Sequence, residues 1–145
     1  MDTDLNDISS KLITKGYKIT PQRKHIIAYL MQSTQHPTAR TIATELNLNL
    51  ATVYNTLTLL EKEQIIISID NDAKGEKSFD YFGKPHYHLV CSNCGKIIDR
   101  FDLNMTQLFQ QVAKSSSYTL NQIHLEFIGL CPDCQKLQKE GHLNG

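Results

Sequence analysis

The stretch Leu50-Ala51-Thr52-Val53-Tyr54-Asn55-Thr56-Leu57-Thr58-Leu59-Leu60, followed by Ile65-Ile66-Ile67-Ser68-Ile69-Asp70, decides how the first half of this chain is read. Val53, Leu57 and Leu60 recur at helical spacing. A helix from Asn49 or Leu50 to about Glu63 therefore buries one face and leaves Thr52, Tyr54, Asn55 and Thr56 largely free. The isoleucine run that follows ends in a polar turn, Asn71-Asp72-Ala73-Lys74-Gly75-Glu76, and resumes as Lys77-Ser78-Phe79-Asp80-Tyr81-Phe82. This pattern predicts a β-hairpin with Gly75 in its loop.

Working upstream, Leu5, Ile8 and Leu12 mark a first helix that Gly16 can end by taking a left-handed cap. Thr20-Pro21 reads as an N-cap with proline at the first helical position, opening a second helix to about Gln32 that buries Ile26, Ile27, Leu30 and Met31. Pro37 breaks the chain, and Thr38 to Leu46 forms a third helix with Ile42, Ala43 and Leu46 inward. Three or four helices followed by a hairpin describe a winged helix-turn-helix, whose fourth helix enters the DNA major groove.

A helical bundle with a hairpin can also be a protein-interaction module, and zero formal net charge argues against a nucleic-acid binder. The distribution of charge matters more. Ile8 to Thr44 holds six basic residues (Lys11, Lys15, Lys18, Arg23, Lys24, Arg40) and no acidic one, which gives this region a positive field. Double-stranded DNA is therefore the favoured partner. Lys15 and Arg23 are candidates for phosphate contacts, Thr52 and Asn55 for base edges, and Tyr54 for phosphate or a thymine methyl.

After Gly83-Lys84-Pro85 the pattern changes to strands, with Pro85 supporting a hinge. Residues 1–84 are read as a DNA-binding domain and residues 85–145 as a small α/β domain, giving an α+β chain. His86 to Cys91 and Lys96 to Phe101 alternate around a Cys94-Gly95 knuckle, Met105 to Lys114 is helical, and Tyr118 to Leu130 contains a further long strand. The 145 residues, 40% hydrophobic and 21% charged, suit one ordinary domain or two small ones. No window approaches the roughly 18 apolar residues of a membrane span, and the N-terminus has no signal-peptide run, so a cytoplasmic, membrane-free protein is expected. No nucleophile-base-oxyanion arrangement suggests a conventional enzyme.

His86-Tyr87-His88-Leu89-Val90-Cys91-Ser92-Asn93-Cys94 places two histidines and two cysteines in nine residues, and Cys131 and Cys134 form a second Cys-x-x-Cys pair. All four cysteines fall in such pairs. In a reducing compartment this favours metal over a disulfide framework, and it fits a thioredoxin-like dithiol less well. Strand side chains alternate with a repeat of roughly 6 to 7 Å, so His86 and His88 share one face and Cys91 lies on the other. Alternation thus favours a histidine site and a cysteine site over one mixed site of His88, Cys91 and Cys94. The 36 residues from Gly95 to Leu130 allow a strand-helix-strand insertion between the pairs. Four thiolates suit structural Zn²⁺, which in zinc-finger peptides stabilises folding by ~10 kcal/mol or more.

Two histidines alone make a poor site for a first-row metal. Asp80, Asp99 and His36 are the candidate partners, although each taken singly can also be a surface or cap residue. Such imidazole and carboxylate donors suit Zn²⁺, Fe²⁺ or Mn²⁺.

Taken together, the chain resembles the ferric uptake regulator family over nearly its whole length. The resemblance is carried by Ile19-Thr20-Pro21-Gln22-Arg23, His36-Pro37-Thr38-Ala39, Leu50-Ala51-Thr52-Val53-Tyr54-Asn55, His86 through Gly95, and Cys131-Pro132-Asp133-Cys134. It implies a homodimer with N-terminal winged-helix and C-terminal dimerisation domains. It also implies a zinc site of Cys91, Cys94, Cys131 and Cys134 and a regulatory site between the domains. Within the family the chain looks most like the peroxide-responsive branch, whose Fe²⁺ or Mn²⁺ ligands carry over to His36, Asp80, His86, His88 and Asp99. Iron-sensing members more often have glutamate at the two aspartate positions. Many of those members also build an additional site with a histidine where Ile123 stands here, and His124 is displaced by one residue.

The resemblance implies a repressor that closes on a pseudo-palindromic operator when the regulatory site is filled, and that loses metal and DNA once His36 and His86 are oxidised. The alternative is a repressor of the same family that senses Mn²⁺ or Fe²⁺ level without peroxide chemistry.

Overall fold

The computed structural model describes residues 2–33, 35–83 and 85–141. The chain is α+β and folds as two compact units. One runs to Ile69 and includes Lys77–Phe82, and the other comprises Asp70–Glu76 and the chain from Gly83 onward. The boundary residue Lys84 lies outside the described residues. A single cut there differs from the observed division in two respects: the segment joining the two hairpin strands belongs to the second unit, and so does Gly83.

The first unit holds α1 (Asp2–Thr14), α2 (Pro21–Gln32), α3 (Ala39–Leu46) and α4 (Leu50–Lys62), followed by the antiparallel strands β1 (Ile66–Ile69) and β2 (Ser78–Tyr81). Its helix starts follow from local chemistry. Thr20 Oγ1 accepts from the Arg23 N–H at 3.2 Å, Thr38 Oγ1 from Thr41 at 3.2 Å and Asn49 Oδ1 from Ala51 at 2.8 Å, each satisfying an otherwise orphan donor. The turn between α3 and α4 passes through Asn47 at φ 54°, a left-handed position that asparagine tolerates.

The core gathers Leu12, Ile26, Ile27, Leu30, Ile42, Val53, Leu57 and Leu60, all buried, with Phe79 of β2. Two expectations need correction. Thr56 is only 2% exposed, because it sits three residues after Val53 and four before Leu60 and so lies on the buried stripe. Met31 is half-buried rather than fully buried.

The second unit contains β3 (Tyr87–Cys91), β4 (Ile97–Arg100), α5 (Met105–Ser116), β5 (Glu126–Gly129) and α6 (Pro132–Lys139). Its sheet has the order β4-β3-β5, with β4 antiparallel and β5 parallel to β3. The long strand expected over Tyr118 to Leu130 is confined to β5. Pairing begins at His88 opposite Glu126, with the His88 N–H donating to Leu125 O at 3.1 Å, and β3 itself starts only at Tyr87, so the chain before Leu125 has no residue of β3 opposite it. The final helix was not anticipated, although Pro132 at its first position, Asp133 in its first turn and Lys136 and Lys139 in its last turn are ordinary helix signals.

Among the described residues, no helix is long and apolar enough to cross a membrane.

The Tyr29 hydroxyl donates to Glu45 Oε2 at 2.6 Å and links α2 to α3. Burial and the adjacent Glu45 carboxylate push the Tyr29 hydroxyl up to about 12. In the unfolded chain it ionises near 10, so the folded state retains its proton longer. The associated stability is present below about pH 10 and is lost as pH rises towards 12. Denaturation midpoints should therefore fall more steeply over this window in the wild type than in Tyr29→Phe. Parallel pH profiles would remove the link.

Candidate metal centres and recognition surface

Strand β3 carries one residue of each centre in the second unit, His88 and Cys91. At its end, Cys91 turns through Ser92-Asn93-Cys94 to Gly95. The pairing of β5 with β3 sets Gly129 opposite Cys91, which returns Cys131 and Cys134 to the same place. The four Sγ atoms lie within 4.8 Å of one another. A tetrahedron with ~2.3 Å Zn–S arms has edges of ~3.8 Å, and Cys94 Sγ and Cys131 Sγ are 3.9 Å apart. All four cysteines are free thiols. This spacing fits a shared metal ion and is far from the ~2.05 Å of a disulfide.

The electrostatics of the four sulfurs agree with that fit. Burial works to raise the Cys91 thiol, but the backbone N–H groups of Cys131, Cys94 and Asn93 outweigh it and bring Cys91 down to about 6. Two of these donors, the N–H groups of Cys94 and Cys131, lie 3.5 Å from Cys91 Sγ. The Asn93 amide, 3.3 Å from Cys134 Sγ, lowers that thiol. Burial and the three neighbouring sulfurs prevail, and Cys134 is pushed up to about 12. Cys91 thus favours its thiolate, whereas Cys94 and Cys134 are raised by burial and neighbouring sulfurs, a penalty that a cation among them would offset. The set fits structural zinc, which would be held by Cys91, Cys94, Cys131 and Cys134.

At the other end of β3, His88 pairs in register with Asp99 of β4. Asp99 Oδ1 lies 3.2 Å from His88 Nε2 and 3.7 Å from His86 Nε2. The two imidazoles stand edge to face with centroids 4.8 Å apart, and both are buried. Three donors thus converge within the second unit. In the first unit, Thr38 bridges Ser78 and the Phe79 N–H donates to Pro37 O at 2.9 Å. Continued by one pleat, this antiparallel register sets His36 opposite Asp80. Both are buried, at 5% and 8% exposure. His36 adopts φ 51°, an uncommon conformation for a residue other than glycine. The expected ligands therefore fall into two groups, His36 with Asp80 and His86 with His88 and Asp99.

Of the residues expected to touch DNA, Arg23, Thr52 and Asn55 line one polar cleft of about 370 Å³ in the first unit, together with Lys18 and Thr20. Arg23 is anchored there by donating to Lys18 O at 2.6 Å. Tyr54 is exposed on α4 but does not line the cleft. Lys15 also lies outside the cleft, and its ammonium is 2.7 Å from Glu63 Oε1, a partner that sequence reasoning missed. A hydrogen bond with Glu63 and the Glu63 charge raise Lys15, and the same contact lowers Glu63. His124, in the non-strand segment before β5, is 2.9 Å from Glu126 Oε1, so strand alternation does not determine its direction.

Residues 14–128 match the Ferric uptake regulator family, and the chain belongs to it. It is 34% identical to the peroxide operon regulator of Bacillus subtilis over 145 residues, covering 96% of this chain and 97% of that one. It is 31% identical to the peroxide-responsive repressor PerR of Staphylococcus saprophyticus over 140 residues, covering 93% of this chain and 94% of that protein. Among solved structures, PerR from Streptococcus pyogenes shares 34% identity at a TM-score of 0.52, over 90% of this chain and 92% of that one. The Helicobacter pylori ferric uptake regulator Fur, at 24% identity, shares the fold with a TM-score of 0.73 over 92% of this chain and 93% of its own.

Replacing Cys131 by serine should reduce tightly held zinc from about one ion per chain to a small fraction, with a lower melting temperature. Elemental analysis after gel filtration measures this. Full retention of zinc in Cys131→Ser would exclude four-thiolate coordination.

Proposed function

We propose that this protein is a metal-dependent transcriptional repressor that senses peroxide, acting as a homodimer on a pseudo-palindromic operator in double-stranded DNA. The observation that carries this reading is the convergence of His86 and His88 on one oxygen of Asp99, in a chain that belongs to the ferric uptake regulator family. Its 34% identity to a peroxide operon regulator supports the peroxide assignment. His36 and Asp80 complete a five-ligand set for Fe²⁺ or Mn²⁺, and aspartate at both carboxylate positions matches the peroxide-responsive pattern. The protein acts in the cytoplasm and is not an enzyme.

The chain's residues then divide the work. Cys91, Cys94, Cys131 and Cys134 keep the second unit folded around zinc. The imidazoles and carboxylates favour the DNA-competent form when they are filled, because that form presents all five together. Held by His36, Asp80, His86, His88 and Asp99, Fe²⁺ would supply the electrons for turning peroxide into a local oxidant, chemistry that Mn²⁺ would not supply. His36 and His86 are the residues that gain oxygen, and an oxidised imidazole is a poor ligand. The DNA-competent population then falls. In the cleft, Arg23 holds phosphate while Thr52 and Asn55 reach base edges. Lys15 adds phosphate affinity and Tyr54 contacts phosphate or a thymine methyl.

Operator binding should be measured with Mn²⁺, Fe²⁺ or Zn²⁺, before and after peroxide, with peptide mapping by mass spectrometry. The Fe²⁺-loaded protein should lose its operator and gain one oxygen on His36 or His86, while the Mn²⁺-loaded protein keeps binding. Metal-dependent binding with no added oxygen on either histidine identifies a repressor of Mn²⁺ or Fe²⁺ level instead.

Among DNA contacts, Asn55→Ala or Tyr54→Ala should weaken specific binding by about 1–3 kcal/mol, whereas Arg23→Ala or Lys15→Ala should weaken binding to all sequences and reduce the salt slope by about one. Unchanged affinity in all four would remove α4 from the recognition surface.

A further inference from the structure

The hairpin's connecting segment meets the cysteine knuckle at Asn71. Asn71 is 3% exposed, and its Nδ2 donates to the Gly95 carbonyl at 2.9 Å. The side chains of Asn71 and Lys74 approach Gly95 so closely that a Cβ there would sit 3.1 Å from Asn71 Oδ1 and 3.0 Å from Lys74 Cγ. Gly95 itself is at φ +79°, which a side chain would also disfavour. Asn71 in turn opens the single 3-10 turn Asp72–Lys74, with the Lys74 N–H donating to Asn71 O at 3.0 Å and the Gly75 N–H to Asp72 O at 3.2 Å.

The direction of the Gly95 carbonyl is set by the cysteine loop. The Gly95 N–H donates to Cys91 O at 3.0 Å, the Cys91 N–H donates to Lys96 O at 2.9 Å, and Cys94 immediately precedes Gly95. Asn71 Oδ1 is buried and makes no hydrogen bond among the described residues, so the Nδ2 contact is the side chain's polar attachment. We propose that Asn71 is a positioning residue through which the four-cysteine site orders the connecting segment of the hairpin, so that residues 70–76 become mobile when zinc is lost. The inference rests on the zinc reading of the four cysteines and is independent of the regulatory site.

The test uses the full chain, reduced, with amide exchange read at Lys74 and Gly75. With zinc bound, exchange in the wild type should be at least about tenfold slower than in Asn71→Ala or the isosteric Asn71→Asp. Both variants should retain zinc, and when Co²⁺ replaces zinc they should show the wild-type thiolate charge-transfer band. Chelating zinc from the wild type should bring these amides to the variants' rate, and chelating it from the variants should change them by less than about twofold. Equal protection in wild type and Asn71→Asp overturns the proposal, as does wild-type protection that survives zinc removal. A wild type with no Co²⁺ thiolate band overturns the four-cysteine reading itself.

Discussion

Convergence of four sulfurs at the end of β3 is the constraint on which the second unit depends. Its described buried apolar side chains are few: Tyr87, Val90 and Met105, besides the ligand residues Cys91 and Cys134. At about 1.5–3 kcal/mol each, three such side chains contribute less than the ~10 kcal/mol or more that a structural zinc supplies in small domains. The first unit is different. Its helices and hairpin enclose a continuous core with Leu12, Ile26, Leu57 and Leu60 almost fully inaccessible. One half of the chain thus folds on hydrophobic burial, and the other needs its thiolates gathered.

That dependence extends along β3. Cys91 is three residues from His88, a span of ~10 Å in a strand. Clamping Cys91 against Cys131 and Cys134 holds β3 beside β5, and the β3–β4 register sets His88 opposite Asp99. A slip of one residue would turn His88 to the opposite face. The structural centre therefore sets the geometry in which two histidines and a carboxylate meet.

Much of this was legible in the residues, for identifiable reasons. Thr20-Pro21, Thr38 and Asn49 are local caps, and local chemistry is enough to place the helix starts. Period-two alternation alone separates the histidines from Cys91. The features that escaped were non-local. Thr56 looked polar and free until the neighbouring helices defined α4's buried stripe. The strand over Tyr118 to Leu130 shortened because the length of β3, rather than the sequence of that segment, limits pairing. The Asn71–Gly95 bond joins residues 24 positions apart and has no periodic signature.

His36 shows how unit one prepares its own pair of donors. A φ of 51° at a residue with a Cβ costs of order 1–3 kcal/mol and persists only where its surroundings determine it. Here they do so on the C-terminal side: Pro37 O accepts from Phe79, and Thr38 bridges Ser78, fixing the loop against β2. Asp80 lies two residues beyond Ser78 on the same face of that strand. The hairpin strand that packs Phe79 into the core thus also sets the register between His36 and Asp80, so the strain is offset by folding the unit and does not have to be offset by a ligand. In the proposed site, binding energy is then available for selecting the DNA-competent form rather than for ordering the loop.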